Sequence, residues 1–358
     1  MHERKPRVLV TGGAGYLGST LVPQLLADGF SVRVLDTLRY GGRSLLGVWS
    51  HPGFQFLRGD IRDRAMVRAS LEDIDAVVHL AAIVGDPACA REPAEARAVN
   101  LDASVQLLEL CRERRHVTRF VFASTCSNYG RMDDPDMLVD ESSALRPLSL
   151  YAETKVAFEQ MLIERRETAP NIARANGAGA GARRSGSARS SAGADADGDR
   201  LCTTSLRFAT IFGVSPRMRF DLTVNEFTCE LIQRRHLVVF GEQFWRPYVH
   251  VRDVAAAIEL TLSSPTDLVR GQVYNVGSSQ QNFRKQQIVD LIRLQAPDAT
   301  VEYVHVDSDP RDYRVSFAKI YERLAFRTTA SVEDGVAEVA RLVRQGVLPD
   351  TTDACYRN

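Results

Sequence analysis

A glycine-rich segment, TGGAGYLG at residues 11–18, constrains the fold of this 358-residue chain more than any other feature. It lies between a β-branched run at 7–10 and a segment at 17–26 whose apolar residues have helical spacing. Glycine permits a tight turn and lets the backbone approach a phosphate closely, and the N-terminus of a helix attracts negative charge. This strand–turn–helix arrangement predicts a dinucleotide-binding turn. The predicted contact residues are Gly12, Gly15, Tyr16, Leu17 and Gly18.

Strand-like and helix-like segments alternate through the first two thirds of the chain. Further strand-like segments lie at 31–35, 54–57, 76–80, 120–123, 203–211 and 272–276. Short, apolar strands separated by helices indicate a parallel sheet that is buried on both faces. Right-handed crossovers make such a sheet doubly wound. The predicted fold is therefore α/β, a Rossmann-like doubly wound parallel sheet with a smaller C-terminal α+β lobe for the substrate.

The same pattern predicts how the chain divides into domains. Residues 1–213 form the dinucleotide-binding domain, and 248–276 returns to it. The irregular, proline-containing segments 214–247 and 277–358 form the substrate lobe. Residues 171–200 interrupt the first domain: nineteen of these thirty are Ala, Gly or Ser, and they cannot bury enough apolar surface to offset the entropy lost on ordering. We predict a disordered surface insertion there.

Composition and charge exclude several classes of partner. Lys plus Arg and Asp plus Glu both number 45, so the chain has no general attraction for nucleic acid or anionic membranes. No apolar run approaches the roughly 20 residues that span a bilayer, and the first residues leave no room for the apolar region of a signal peptide. The six cysteines include no CxxC pair, which argues against a zinc site and a disulfide framework. We therefore expect a cytoplasmic protein without a metal.

An acidic residue follows the glycine turn at the distance expected for a nicotinamide dinucleotide site. Asp36 ends the second predicted strand, eighteen residues after Gly18, where a carboxylate would accept hydrogen bonds from the adenosine ribose. Its charge would repel a 2′-phosphate, which favours NAD over NADP, although Arg39 lies close enough to keep NADP open. The contacts predicted after the third and fourth strands are Asp60 and Ile61 beside adenine, and Leu80, Ala81 and Ala82 along the cofactor.

A tyrosine and a lysine four residues apart supply the candidate catalytic groups. Tyr151 and Lys155 fall on one face of a predicted helix. A nearby ammonium and an oxidised nicotinamide would lower the pKa of the phenol toward the physiological range. Tyr151 could then remove a proton from a substrate hydroxyl while a hydride leaves the same carbon. An earlier strand ends in Thr125, which could hydrogen-bond the same oxygen; Ser124 is the alternative in a register shifted by one residue.

Several motifs together resemble one family. They are VTGGAGYLGS at 10–19, HLAA at 79–82, a VN pair ending at Asn100, STCSNYG at 124–130, YxxxK at 151–155 and RPYVHVRDVA at 246–255. In this order they are similar to an extended short-chain dehydrogenase/reductase of the NAD-dependent epimerase/dehydratase family, whose members act on nucleotide sugars. The resemblance implies a seven-stranded Rossmann-like sheet, tightly held NAD and a lobe that grips a nucleoside diphosphate sugar. It also implies a homodimer formed through two long helices, at 100–115 and 151–166.

The resemblance also implies roles for individual residues on the cofactor side. Thr125, Tyr151 and Lys155 match the family's Ser/Thr-Tyr-Lys triad. Phe208 belongs to a segment that resembles the passage from strand to loop beside the nicotinamide. Asn100, in the VN pair, is carried over as a cofactor-binding residue.

Two arginines are carried over to the substrate side. Arg246 matches an arginine that family members use on the pyrophosphate of the sugar nucleotide, a bidentate role that suits a guanidinium. Arg311 is a second candidate, on a later loop. For each arginine, a salt bridge between the lobes is the alternative.

The residues after Thr125 depart from the pattern of the family's 4,6-dehydratases. Those members have Asp-Glu there, an acid and a base for eliminating water, whereas this chain has Cys126 and Ser127 in the candidate substrate site. Serine has no useful basicity near pH 7, so the standard elimination lacks its base. Cys126 would either act as an acid in a variant dehydratase or line the pocket as a small residue.

The predicted function is therefore an NAD-dependent nucleotide-sugar epimerase that oxidises the hydroxyl at C4 and returns the hydride to the opposite face. The nearest alternative is a nucleotide-sugar ketoreductase, dehydrogenase or variant 4,6-dehydratase on the same scaffold. A non-catalytic NAD-binding protein is a third alternative, which the intact triad disfavours. The expected partners are a nucleoside diphosphate sugar and a second copy of the chain, with no nucleic acid and no membrane.

Overall fold

The computed structural model describes residues 5–132, 134, 137–167, 200–307, 309 and 311–358. The segment predicted to be a disordered insertion, 171–200, lies outside these residues except for Arg200. The helix before this segment ends at Glu167, and the strand after it begins at Cys202.

Strands and helices alternate along the described chain, as the sequence pattern predicts. The strands are β1 (Arg7–Thr11), β2 (Ser31–Asp36), β3 (Phe54–Arg58), β4 (Ala76–His79), β5 (Arg119–Thr125), β6 (Cys202–Phe208), β7 (Thr210–Phe212), β8 (His236–Phe240), β9 (Trp245–His250), β10 (Gln272–Val276), β11 (Asn282–Arg284) and β12 (Thr300–Val304). The helices are α1 (Gly18–Ala27), α2 (Arg64–Ser70), α3 (Asp86–Arg91), α4 (Pro93–Arg97), α5 (Ala103–Glu113), α6 (Leu150–Glu167), α7 (Thr223–Gln233), α8 (Val251–Ser263), α9 (Thr266–Val269), α10 (Lys285–Arg293), α11 (Ala318–Leu324) and α12 (Val332–Arg344).

Seven of the described strands form one parallel sheet in the order β10-β6-β5-β4-β1-β2-β3. The order reverses between β1 and β4, because the chain moves outward from β1 to β3 and then outward on the other side from β4 to β10. At such a point the carboxyl ends of the strands open onto a crevice, where doubly wound sheets bind their ligands. β4 and β6 are buried along their whole length, as expected for a sheet covered by helices on both faces. The predicted Rossmann-like sheet is confirmed.

The segment predicted as one strand at 203–211 is two strands of different sheets, so this prediction is wrong. β6 pairs with β5 and β10 and ends at Phe208, whereas β7 pairs in parallel with β9. Between them, the Ala209 amide donates to the Val276 carbonyl at 3.2 Å. Both strands carry β-branched and aromatic residues, so the sequence shows no change of pattern where the chain leaves the main sheet.

The C-terminal lobe is built on a three-stranded sheet, β11-β9-β7, and on a parallel pair, β8 and β12. Its apolar core lies between these strands and helices α7, α10 and α12. The chain leaves the lobe at His250, whose imidazole accepts a hydrogen bond from the Arg252 amide at 3.2 Å and caps α8. Helix α8 then packs against α1 of the main body. The chain therefore enters the lobe after Ala209, returns to the main body at His250, and enters the lobe again between β10 and β11.

In the part of the chain that the structure describes, no helix is long and apolar enough to cross a membrane. No three His, Cys, Asp or Glu side chains there lie together in a way that could hold a metal ion.

Candidate active site

A cavity of about 550 Å³ lies at the carboxyl ends of the main-sheet strands. The predicted cofactor contacts on its wall are Gly12, Gly15, Tyr16, Leu17, Gly18, Asp36, Asp60, Ile61, Leu80, Ala81, Ala82, Tyr151, Lys155 and Phe208. Asn100 lies behind the wall, in a π-helical turn, where its side-chain amide bonds the amide of Ile83 at 2.8 Å and the carbonyl of Ile83 at 2.9 Å. Asn100 therefore holds the backbone that follows β4, while the other residues face the cavity.

The glycine turn packs tightly against the protein at Gly12 and Gly18 and leaves space on the cavity side at Gly15. Gly12 has a φ of +75°, and a Cβ there would lie 2.7 Å from the Ala81 amide nitrogen. A Cβ on Gly18 would lie 2.5 Å from the Gly12 carbonyl oxygen, so this glycine lets α1 pack on the turn. A Cβ on Gly15 would approach only that same oxygen, at 3.2 Å. The backbone at Gly15 therefore leaves room for the pyrophosphate of a dinucleotide at the N-terminus of α1.

Asp36 is fixed at the end of β2 by the backbone around the glycine turn. Its carboxylate accepts hydrogen bonds from the amides of Ala14 at 3.0 Å and Leu38 at 2.8 Å. Burial raises the pKa of Asp36, and these two amides oppose the rise. Because the carboxylate also lines the cavity, its remaining lone pairs can accept hydrogen bonds from ribose hydroxyls.

Two neighbouring arginines are held by carboxylates at the same end of the cavity. Arg39 is the residue that left NADP as an alternative cofactor in the sequence analysis. Its guanidinium pairs with Glu92 at 3.1 Å and with Glu95 at 3.2 Å. The Asp60 carboxylate binds Arg62 at 2.6 Å, and this hydrogen bond lowers the pKa of Asp60. Arg39 is therefore already neutralised, which fits NAD better than a cofactor with an extra phosphate.

The predicted catalytic pair lies where α6 faces the end of β5. The Lys155 ammonium is 5.9 Å from the centroid of the Tyr151 ring and donates to the Ala123 carbonyl at 2.9 Å. Burial lowers the pKa of Lys155 from 10.5 to about 8, and burial raises the pKa of Tyr151 above its usual value. The pair therefore places a mobile proton on a phenol and a cation next to it, which are the groups needed for general-base catalysis on an alcohol.

Both candidate hydroxyls at the end of β5 are held by neighbouring groups. The Thr125 hydroxyl accepts a hydrogen bond from the Ser127 amide at 3.1 Å. The Ser124 hydroxyl accepts one from the Asn128 side chain at 3.1 Å, and Ser124 lies on the wall of the main cavity beside Tyr151. The alternative between Thr125 and Ser124 therefore stays open.

The structure places Cys126 in the core and turns Ser127 toward the lobe. Cys126 is 1% exposed, its thiol donates to the Arg207 carbonyl at 3.3 Å, and burial raises its pKa. The Ser127 hydroxyl shares a hydrogen bond with Tyr313. Neither side chain stands as a carboxylic acid or base next to Tyr151. An acidic residue whose charge raises the pKa of Tyr151 is Asp86, at the start of α3.

The two predicted substrate arginines lie together in the lobe. Arg246, on β9, is 6% exposed; its guanidinium pairs with Asp309 at 2.7 Å and donates to the carbonyls of Trp245 and Arg311. The Arg311 guanidinium lies 3.4 Å from Asp86, so it bridges the lobe and the main body. A second cavity of about 210 Å³ is lined by Asp309, Arg311 and Lys285 among others. Although burial opposes ionisation of Asp309, Arg246 and the neighbouring cations hold its pKa below the usual range.

Not all wall residues of the main cavity were predicted from the sequence. Those that were missed include Tyr40, Arg217, Arg219 and Asn358. Arg217 and Arg219 follow β7 in a loop that local pattern assigns to the substrate lobe, and no motif marks them. The paired arginines of the RMR segment at 217–219 were the one available signal.

A Tyr–Lys pair beside a dinucleotide cavity defines the class of the protein: an enzyme that moves a proton and a hydride together at an alcohol carbon. The comparison with known families makes the identification specific. The chain belongs to the NAD dependent epimerase/dehydratase family, whose model matches residues 8–277. It is accordingly an NAD-dependent enzyme, like the family members solved with that cofactor.

Similar proteins cover nearly the whole chain. A dTDP-glucose 4,6-dehydratase of Actinoplanes sp. is 26% identical over an alignment that covers 94% of this chain and 98% of the relative. The solved complex of the Thermus thermophilus UDP-glucose 4-epimerase with NAD has a TM-score of 0.74 and 26% identity, and covers 94% of this chain and 99% of that one. DesIV of Streptomyces venezuelae, a dTDP-glucose 4,6-dehydratase solved with NAD, has a TM-score of 0.77 and 26% identity, and covers 95% and 97%. Both reaction types occur at this level of similarity.

Proposed function

We propose that this protein is a nucleotide-sugar epimerase acting at C4. One observation carries the choice between the family's reactions: Tyr151 and Lys155 lie beside the cofactor cavity, while the positions after Thr125 hold no acid–base pair. The Cys126 thiol donates its hydrogen bond to a core carbonyl, and the Ser127 hydroxyl shares a hydrogen bond with Tyr313. A site of this kind can oxidise and reduce an alcohol carbon, but the described positions after Thr125 supply no base for removing a proton from the next carbon during loss of water.

The chain's own residues account for the proton transfers of this reaction. Bound NAD supplies the hydride acceptor and, later, the hydride donor. Lys155 places a positive charge near Tyr151 and thereby favours its phenolate, which takes the proton of the C4 hydroxyl. Thr125 or Ser124 donates a hydrogen bond to the same oxygen. When the keto sugar has turned its other face to the cofactor, Tyr151 returns the proton to the new alcohol.

Arg246 is proposed to bind the diphosphate of the sugar nucleotide. Its guanidinium is buried and oriented by two carbonyls, and its single carboxylate partner is Asp309 among the residues that the structure describes. A bound diphosphate would replace or share this partner through charge-assisted hydrogen bonds. Arg311 is proposed as a second contact, because its partner Asp86 also lies near Tyr151.

We further propose a cytoplasmic homodimer formed through the helices predicted at 100–115 and 151–166. The structure has α5 inside the first range and α6 across the whole of the second, and the Met161 side chain on α6 is 38% exposed. Light scattering on the purified protein tests this assembly. A mass of twice the 39.7 kDa chain supports it, and a mass of one chain contradicts it.

The proposed reaction is tested by incubating the purified enzyme with UDP-glucose, UDP-galactose, dTDP-glucose and dTDP-galactose, each without added cofactor. We expect one 4-epimer to convert into the other, with no net NADH absorbance at 340 nm. Stoichiometric release of NADH would show a dehydrogenase. A requirement for added reduced cofactor would show a ketoreductase.

A further inference from the structure

Arg217 is a buried cation on the wall of the cofactor cavity, although it belongs to the chain segment between β7 and α7. The residue is 6% exposed, and its guanidinium lies 4.1 Å from the centroid of the Tyr40 ring. Its backbone amide donates to the Ser19 hydroxyl at 3.2 Å, on the first turn of α1. This part of the lobe therefore lies directly against the helix whose N-terminus begins at the glycine turn.

Arg217 forms no ion pair with a carboxylate among the residues that the structure describes. Its hydrogen bond goes to the backbone carbonyl of Arg357 at 3.0 Å, and its Nε is buried without a partner among the described residues. The nearby Asp221 is taken by Arg219 through two hydrogen bonds, at 2.9 Å and 2.7 Å. Burial, and then repulsion by Arg219, lower the pKa of Arg217 to about 10. A buried guanidinium without an anion is costly, so an anion is expected to occupy this side of the cavity.

The surroundings of Arg217 identify which part of the cavity it serves. Its charge lowers the pKa of Asp36, the carboxylate positioned for the adenosine ribose. Its other neighbours are Tyr40, which follows β2, and Ser19 of α1. The negatively charged group that a nicotinamide dinucleotide places between its adenosine and the N-terminus of such a helix is its diphosphate.

We propose that Arg217 binds the diphosphate of NAD from the lobe side, opposite the amides of the glycine turn. The turn and α1 supply neutral donors and a helix dipole, whereas Arg217 supplies a full charge in a nearly water-free place. The Tyr40 ring holds the guanidinium plane in position by cation–π stacking. A residue of the segment predicted to serve the substrate thus serves the cofactor and links the lobe to it.

Binding of nucleotide fragments to protein stripped of NAD tests this proposal by calorimetry. The probes are adenosine, ADP and 2′,5′-ADP, with UDP as a fourth. In Arg217→Gln we expect ADP binding to weaken about tenfold to a hundredfold, the usual size of a lost hydrogen-bonded charge contact, and adenosine binding to change less than threefold. Arg217→Lys keeps the positive charge but loses the planar, bidentate donor geometry of the guanidinium, so it should bind ADP more tightly than Arg217→Gln does.

Arg39→Gln is the matched control, because it removes one positive charge from the same wall. Glu92 and Glu95 already neutralise Arg39, so this variant should weaken ADP binding less than threefold. An equal loss in both variants would show that ADP senses only the net charge of the cavity, and this would overturn the proposal.

Three other results would also overturn it. Equal weakening of adenosine and ADP in Arg217→Gln would mean that Arg217 supports packing alone. Selective weakening of 2′,5′-ADP would make it a 2′-phosphate site, and selective weakening of UDP would assign it to the sugar nucleotide. The experiment contains no turnover, so its outcome is independent of whether the enzyme is an epimerase.

Discussion

The two walls of the active site are held in different ways. On the cofactor wall, Asp36, the glycine turn and the Tyr151–Lys155 pair are positioned mainly by backbone: amides bind the Asp36 carboxylate, and a carbonyl binds the Lys155 ammonium. On the lobe side, which we call the lobe wall, Arg246 and Arg311 each form an ion pair with a carboxylate, at 2.7 Å and 3.4 Å, in addition to the two backbone carbonyls that hold Arg246. Backbone donors stay in place when a ligand enters, whereas ion pairs can exchange a carboxylate for a phosphate. The difference suggests a preformed cofactor wall and a substrate wall that changes partners on binding.

The largest expected effect lies on the cofactor wall, at Tyr151. Tyr151→Phe keeps the ring and its packing but removes the hydroxyl, so turnover should fall by about 10²- to 10⁴-fold, the usual contribution of a general acid–base group. Steady-state kinetics measures the loss, and the NAD content and the melting temperature of the variant should stay at wild-type values. A folded, NAD-loaded variant with normal turnover would remove Tyr151 from the reaction.

On the lobe wall, Arg246→Gln should act on substrate binding rather than on chemistry. Loss of a charge-assisted contact predicts a KM about tenfold to a hundredfold higher, with a smaller change in kcat. Because the residue is buried beside Asp309, the melting temperature must be measured with the kinetics. Arg246→Lys, which keeps the charge, should raise KM less.

Arg252→Gln is the control for this substitution. Its side chain is 62% exposed and pairs with Glu338, away from the proposed substrate contacts. We expect an unchanged KM. If Arg246→Gln shows a wild-type KM in folded protein, Arg246 is a structural ion-pair residue and the lobe wall binds the diphosphate elsewhere.

The buried ammonium of Lys155, on the cofactor wall, is expected to lower the free energy of unfolding of the protein. Its pKa is lowered from 10.5 to about 8 by burial, so the unfolded chain binds the proton more tightly than the folded protein does. The resulting loss in the free energy of unfolding is fully present below about pH 8, and it disappears as the pH rises to about 10.5. Lys155→Met should therefore stabilise the protein without NAD by as much as about 3 kcal/mol at pH 7, less the lost hydrogen bond to Ala123.

Denaturant unfolding of both proteins between pH 7 and 10.5 checks this prediction. The gain in the free energy of unfolding should shrink steadily as the pH rises. If Lys155→Met raises the free energy of unfolding equally at every pH, or lowers it at pH 7, the buried ammonium is not what destabilises the protein. The variant should also lose turnover, because the cation next to Tyr151 is gone.

The smallest effect is expected for the segment predicted to be an insertion. Replacing residues 171–200 with a short Gly/Ser linker should change the free energy of unfolding by about 1 kcal/mol, because loop-closure entropy varies slowly with length. Turnover should stay within twofold of wild type. Loss of soluble protein would show that this segment is needed for folding and contradict the prediction.

The contrast between the walls also explains what could be predicted from the sequence. Asp36 and the glycine turn lie at strand ends, and local pattern alone places strand ends at the crevice of a doubly wound sheet. Arg217 depends on Ser19, 198 residues earlier in the chain, and no local pattern contains that contact. The pairing of β5 with β6 directs the Cys126 thiol to the Arg207 carbonyl. Because this register is not visible in the sequence, the sequence does not show that the thiol points away from the cavity.

The most direct test of the proposed reaction is the fate of the hydrogen on C4. The sugar nucleotide that the enzyme accepts is prepared with deuterium at C4, and the product is examined by mass spectrometry and proton NMR. The account predicts a product of unchanged mass that keeps its deuterium at C4 and has the opposite configuration there. A 4-keto product lighter by one water, with the deuterium moved to C6, would contradict it and make the protein a dehydratase.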